Sequence, residues 1–124
     1  MRLTRVSVAV VTDDLGAAVA YSPQCNGLVR TVEYVKPQSG GLDVATDIDI
    51  IADVSGAVIW TNDDLASSKV IHPLAQAQDN TGEDITGAYA PICLADERIK
   101  ITVANGGDSL SGTFIFTIEG VALS

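Results

Sequence analysis

Thr46-Asp47-Ile48-Asp49-Ile50-Ile51-Ala52-Asp53 is the stretch that decides the fold, because polar and apolar side chains alternate here more regularly than elsewhere in the 124 residues. Successive side chains of a β-strand point to opposite faces of the sheet. On that spacing one face carries Thr46, Ile48, Ile50 and Ala52, and the other carries Asp47, Asp49, Ile51 and Asp53. The stretch therefore predicts a strand of an antiparallel sheet, with one buried face and one solvated face.

The same period of two extends along the chain in both directions and is interrupted by turn residues. Near the start, Val6, Val8 and Val10 share one face, and the polar turn at residues 12–16 predicts a hairpin that returns along residues 17–21. Near the end, a second hairpin is predicted around Asn105-Gly106-Gly107-Asp108, with residues 98–104 and 113–119 as its strands. Its apolar faces are formed by Ile99, Ile101, Val103, Phe114, Phe116 and Ile118.

Three further segments are less regular. Residues 27–36 follow a corner predicted at Asn26-Gly27 and carry mixed side chains on both faces, which predicts a strand covered on both sides or placed at a subunit contact. Residues 70–74 predict an edge, because Pro73 has no N–H to donate to a neighbouring strand. Residues 75–91 show the least pattern and predict a long loop that is mobile or functional.

These segments together predict an all-β fold. Short strands recur with turn residues between them, helical spacing is nearly absent, and 47% of the residues are hydrophobic, which is enough for one continuous core. We therefore expect residues 1–124 to form a single-domain antiparallel β-sandwich, jelly-roll-like or Ig-like.

The charge balance excludes two classes of partner. The chain carries 7 Lys and Arg against 16 Asp and Glu, for a net charge of −9, and the basic residues are scattered. Nucleic acids and anionic membranes are held by clustered Lys and Arg, so we expect neither as a partner. The apolar run at residues 6–11 is too short for an export signal or a membrane span, so we expect no marking for secretion or for lipid.

The residues that could bind metal or catalyse are few. Cys25 and Cys93 have no C-x-x-C spacing, and they could pair only if the fold brings them together. We expect free thiols, as in a protein made in a reducing cytoplasm. His72 is the single histidine, and the chain has no glycine pattern for a nucleotide cofactor. The Asp47 and Asp49 pair lacks the aromatic cleft of a glycosidase, and the oxygen-rich loop at residues 79–84 lacks the full ligand order of a calcium loop. We expect no enzyme, no metal site and no cofactor.

Two segments carry a resemblance to a known group of proteins. They are residues 26–36, with Asn26-Gly27-Leu28-Val29 and Val32-Glu33-Tyr34-Val35-Lys36, and residues 97–118, with Glu97-Arg98-Ile99-Lys100-Ile101-Thr102-Val103-Ala104-Asn105-Gly106-Gly107 followed by Gly112-Thr113-Phe114 and Ile118. This pattern resembles small virion-associated structural proteins of tailed bacteriophages, which are encoded among head and tail genes. No catalytic residues come with the resemblance.

The resemblance implies a capsid decoration or cement protein that binds the lattice of the major capsid protein, made in the host bacterial cytoplasm and located on the virion. A head spike, a fibre base or a tail-associated component that binds a host or partner molecule is the alternative. We expect a homo-oligomer, with a trimer favoured. The candidate interface residues are Tyr34, Trp60, Tyr89, Val121 and Leu123, although each could also pack inside its own subunit.

Overall fold

The computed structural model describes residues 2–120, and these residues form strands joined by turns. Residues 2–120 contain eleven strands: β1 (Arg2–Val11), β2 (Ala18–Tyr21), β3 (Cys25–Val35), β4 (Asp47–Ala52), β5 (Val58–Asn62), β6 (Lys69–Ile71), β7 (Ala75–Gln78), β8 (Asp84–Ala90), β9 (Ile92–Glu97), β10 (Ile99–Ala104) and β11 (Ser111–Gly120). Every pair of hydrogen-bonded strands is antiparallel. The predicted all-β class is therefore confirmed.

Two sheets hold most of the strands. The first has the order β1-β11-β3-β6, with β9 also paired to β3, and the second has the order β2-β10-β4-β5. One cluster of buried apolar side chains includes residues from both sheets, so the core lies between them as in a β-sandwich. Its largest fully buried members are Tyr34, Phe114, Phe116, Leu42, Ile50, Leu94, Ile99 and Ile101.

The alternation predicted for residues 46–53 is confirmed residue by residue. In β4, Ile48, Ile50 and Ala52 are buried, whereas Asp49 is exposed. The faces predicted for the other regular segments are confirmed as well, because the buried residues include Val8, Val10, Ile99, Ile101, Val103, Phe114, Phe116 and Ile118. Residues 69–71 form an edge strand next to β3, as predicted for the segment before Pro73.

Both predicted hairpins are wrong, and for the same reason. β1 pairs with β11 in one sheet, whereas β2 pairs with β10 in the other. The turns at residues 12–17 and 105–110 each cross from one sheet to the other, and they lie side by side. Thr12 Oγ1 donates to the Gly107 carbonyl at 2.6 Å, and the Gly106 N–H donates to the Gly16 carbonyl at 2.9 Å. Each crossover satisfies polar groups of the other. The two changes of sheet are therefore made side by side.

The mixed faces of residues 27–36 result from a bulge in the pairing of β3 with β11. The register of β3 against β11 shifts between Thr117 and Ile118, so Val29 and Val32 both point into the core while Arg30 between them is exposed. A bulge inserts one extra residue and moves the following side chains to the other face. The prediction that this strand is covered on both sides or at a subunit contact is therefore not needed to account for its pattern. The corner predicted at Asn26-Gly27 is wrong, because both residues lie within β3 at a second shift of register.

Candidate interaction surface

Residues 75–90 form a third, two-stranded sheet that pairs β7 with β8 and with neither main sheet. We call these residues the arm. Nearly all of its residues are exposed, and only Ala77 and Ala88 reach intermediate burial. The prediction of a long irregular loop at residues 75–91 is wrong, since most of the segment is strand. Its alternating Ala-Gln-Ala-Gln followed by Asp79-Asn80-Thr81-Gly82 was the signal for a hairpin that the sequence reading missed.

The tip of the arm is shaped by the carboxylate of Asp79. Its Oδ1 atom accepts hydrogen bonds from the Thr81 N–H at 2.8 Å, the Thr81 hydroxyl at 2.6 Å and the Glu83 N–H at 3.1 Å. These bonds, the Thr81 hydroxyl first, lower the pKa of Asp79. The carboxylate therefore replaces backbone partners in the turn. Within residues 2–120 no group of three or more His, Cys, Asp or Glu side chains is placed to hold a metal ion.

The arm combines exposed apolar side chains with one sign of charge. Ile85 and Tyr89 on β8 are 43% and 63% exposed, and Leu74 just before β7 is 56% exposed. The arm carries three carboxylates, at Asp79, Glu83 and Asp84, and no Lys or Arg. Exposed apolar side chains on a projecting element are typical of a surface that a partner covers.

The edge of β1 is a second exposed feature. Over residues 2–120, β1 is hydrogen-bonded only to β11, through ten consecutive pairs without a shift of register. Its outward face includes Leu3, which is 65% exposed, and its charged side chains are Arg2 and Arg5. Arg5 lies 3.6 Å from the Glu33 carboxylate at the surface. The result is a long strand edge with unpaired backbone groups and a basic end.

The structure divides the predicted interface residues into three groups. Tyr34 is 0% exposed and stacks on Phe114 with 5.1 Å between ring centroids, and Trp60 is 8% exposed in the same core. The prediction that these two anchor an interface is therefore wrong, because their surfaces are already buried within the subunit. Tyr89 lies on the arm and is available to a partner. Val121 and Leu123 lie outside the described residues.

The side chains considered for catalysis or metal binding are separated from one another. His72 is exposed just before the arm. Asp47 accepts from the Asp64 N–H at 3.2 Å and from the Asn105 amide at 2.9 Å, so its carboxylate joins two loops, and Asp49 faces solvent. Cys25 is buried and Cys93 is exposed, and both are free thiols. Burial is the main cause that raises the pKa of Cys25, which keeps it protonated.

No family model and no curated protein sequence matches this chain. Among solved structures, the crystal structure of FLHE is similar over 97% of this chain and 100% of that one, with a TM-score of 0.47 and 12% sequence identity. We draw nothing about function from a similarity of this size. In the part of the chain that the structure describes, no helix is long and apolar enough to cross a membrane.

Proposed function

We propose that this protein is a structural component of a tailed-phage virion, a decoration or cement protein that binds the lattice of the major capsid protein. The proposal gives the protein a binding role and no catalytic one. It rests on the resemblance of residues 26–36 and 97–118 to virion proteins of tailed phages. The observation that carries it is the arm, an exposed two-stranded sheet with apolar side chains turned to solvent.

The arm supports a binding role on energetic grounds. A two-stranded hairpin alone is at best marginally stable in water, and ordering its residues costs conformational entropy. Within one subunit the arm recovers little of that cost, since β7 and β8 have almost fully exposed residues. Burying Ile85 and Tyr89 against a neighbouring protein would offset it, and tyrosine is among the residues that contribute most to such contacts.

Purified virions provide the first test of this proposal. A decoration protein is expected there at a copy number comparable to that of the capsid lattice positions, as measured by quantitative mass spectrometry. A protein that is absent from virions, or present at only a few copies, is not a decoration protein.

Variants of exposed apolar residues provide the second test. Tyr89→Ala is expected to weaken binding to capsids that lack the protein by about tenfold or more, because it removes an aromatic anchor. Leu15→Ala is the control, since Leu15 is an even more solvent-exposed apolar residue but lies in the turn between β1 and β2. Equal binding of both variants would contradict the assignment of Tyr89 to the interface.

A spike, fibre-base or tail-associated component with a host- or partner-binding role is the second candidate. It is favoured by an arm that carries both an exposed aromatic side chain, Tyr89 near its base, and three carboxylates at or beside its tip, the combination expected of a recognition loop. The loop at residues 61–68, by contrast, folds onto the body, where Leu65 is buried and Lys36 Nζ donates to the Ala66 carbonyl at 2.9 Å. A low copy number at one site of the virion would favour this candidate over the first.

A further inference from the structure

We propose that copies of this chain associate by strand addition, with β7 of one copy pairing antiparallel to the free edge of β1 in the next. The inference rests on the proposed function in treating the arm as the docking element, and it adds the identity of one partner, a second copy of this chain. Ile85 and Tyr89 on β8 remain available for a different protein. The argument has three parts: the receiving edge, the donated edge and the charges that align them.

The receiving edge is unusually open. β1 is ten residues long, and alternate residues direct N–H and C=O groups to an outer edge that no strand among residues 2–120 uses. Natural proteins protect exposed edges with bulges, prolines or charges along the strand, because an open edge pairs readily with another chain. β1 has no bulge and no proline, and its two charges both lie in its first four residues, Arg2 and Arg5.

The donated edge is β7. One side of β7 pairs with β8, and its other side has no partner strand in the described chain. The sequence of β7 is Ala-Gln-Ala-Gln, which has no charge and no proline to oppose pairing. β8 is less suitable. Gln76 pairs with Tyr89 and Gln78 with Asp84, so the extra residues at this shift of register lie on β8, where Gly87 also has a φ of +79°. Such irregularities bend a strand away from a new partner.

The charges select the direction of pairing. The arm carries three carboxylates at or beside its tip and no base, whereas β1 carries Arg2 and Arg5 and no carboxylate. In an antiparallel pair the end of β7, which leads into the tip, meets the start of β1. That alignment places Glu83 and its neighbours close to Arg2 in a molecule whose net charge of −9 otherwise makes copies repel.

Charge reversal tests the alignment in the purified protein, with light scattering after size exclusion as the measurement. Glu83→Lys is expected to weaken self-association by about tenfold and to reduce its sensitivity to salt. The Glu83 side chain makes no hydrogen bond within residues 2–120, so the variant should fold. Asp14→Lys makes the same change of charge on an exposed turn that belongs neither to β1 nor to the arm, and it should leave association unchanged.

Mixing two variants distinguishes a specific contact from general charge effects. Arg2→Glu alone should also weaken association, but a mixture of Arg2→Glu with Glu83→Lys should form mixed oligomers, because a basic arm tip then meets an acidic edge. A wild-type protein that is monomeric at millimolar concentration would overturn the inference. Equal weakening by Asp14→Lys, or a mixture that does not associate, would overturn it as well.

Disulfide trapping tests the strand pairing itself. In a Cys93→Ser background, Gln76→Cys is mixed with a second chain carrying Leu3→Cys, Thr4→Cys or Arg5→Cys. One of these three combinations is expected to give a covalent dimer under mild oxidation, whereas Asp14→Cys should not. No cross-link at any of the three positions, or an equal yield with Asp14→Cys, would contradict pairing between β7 and β1.

The outcomes for this inference and for the proposed function are separate. A monomeric protein that still coats virions at high copy number would overturn the strand addition and leave the decoration role intact. A protein that self-associates through the arm but is absent from virions would do the reverse.

Discussion

Gly27 lies in β3 with a backbone φ of +127°, a conformation that side chains with a Cβ rarely adopt. The backbone of β11 passes so close to it that an added Cβ would collide with the carbonyl group of Glu119. The position therefore requires glycine twice, once for its backbone angle and once for the space. The sequence indicated the first requirement but not the second, since nothing in residues 26–27 says which strand lies beside them.

Gly27→Ala is expected to lower the free energy of unfolding by about 3 kcal/mol or more, because the clash involves backbone atoms that cannot rotate away. Gly40→Ala is the matched control. Gly40 also has a positive φ, but no atom lies near its missing Cβ, so the loss should be about 1 kcal/mol. Urea denaturation of both variants measures the difference. Similar losses would show that the close approach of Glu119 is not important for stability.

Tyr34 and Trp60 show why residue type does not identify an interface. Both are aromatic, and aromatic residues are frequent in protein contacts and in cores alike. The Tyr34 ring lies next to Leu42 and Gly112. Burial raises the pKa of its hydroxyl. Only the three-dimensional arrangement separates these two residues from Tyr89, which has the same chemistry as Tyr34 and is exposed.

At the scale of elements, Glu97 joins two strands of different sheets. It ends β9, is only 3% exposed, and reaches the turn after β4. Its Oε1 atom accepts from the N–H groups of Val54 at 3.0 Å and Ser55 at 2.9 Å, and Oε2 accepts from the Ala95 N–H at 3.2 Å. The bond from Ser55 is the main cause that lowers the pKa of Glu97, against the opposing effect of burial.

The pH dependence of stability follows from the direction of this shift. Because the pKa of Glu97 is lower in the folded than in the unfolded chain, its ionised form stabilises the fold above the unfolded pKa, and this contribution is lost as pH falls through the folded pKa. Glu97→Gln should cost about 2 kcal/mol at pH 7, since an amide cannot accept at both positions. The cost should shrink toward pH 3, where wild type loses the same contribution.

Asp96→Asn is the control for Glu97→Gln, as measured by urea denaturation at pH 7 and pH 3. The Asp96 backbone has a φ of +53°, which asparagine tolerates, and its side chain is exposed. The variant should change stability by less than about 0.5 kcal/mol at pH 7. A cost for Glu97→Gln that stays constant between the two pH values would contradict a role for the ionised carboxylate.

At the scale of the whole molecule, stability depends on the apolar faces that meet between the sheets. Phe114 in β11 is fully buried and contacts Tyr34, whereas Asp49 in β4 points away from the core. Phe114→Ala should cost about 3 to 5 kcal/mol through the lost contacts and the cavity, and Asp49→Ala should cost less than about 1 kcal/mol. Thermal or urea unfolding of the two variants measures this, and equal small effects would contradict the assignment of faces.

The sequence by itself determined the class of the fold and the inward face of most strands. The alternation in residues 46–53 and in the segments around Val8, Ile101 and Phe116 follows from the geometry of a single strand, in which neighbouring side chains point in opposite directions. That geometry is local, so it can be read without knowing the partner strand. Turn residues are local in the same sense, which is why the positions of most turns were correct.

Only the tertiary structure decided which strands pair and which surfaces stay open. The turns at residues 12–17 and 105–110 have the composition of hairpin turns, yet they cross between sheets because each supplies hydrogen-bond partners to the other. Likewise, the exposure of Tyr89 and the free edge of β1 depend on where distant strands end. Such contacts join residues far apart in the chain, and their energies are set by packing between elements that local patterns do not describe.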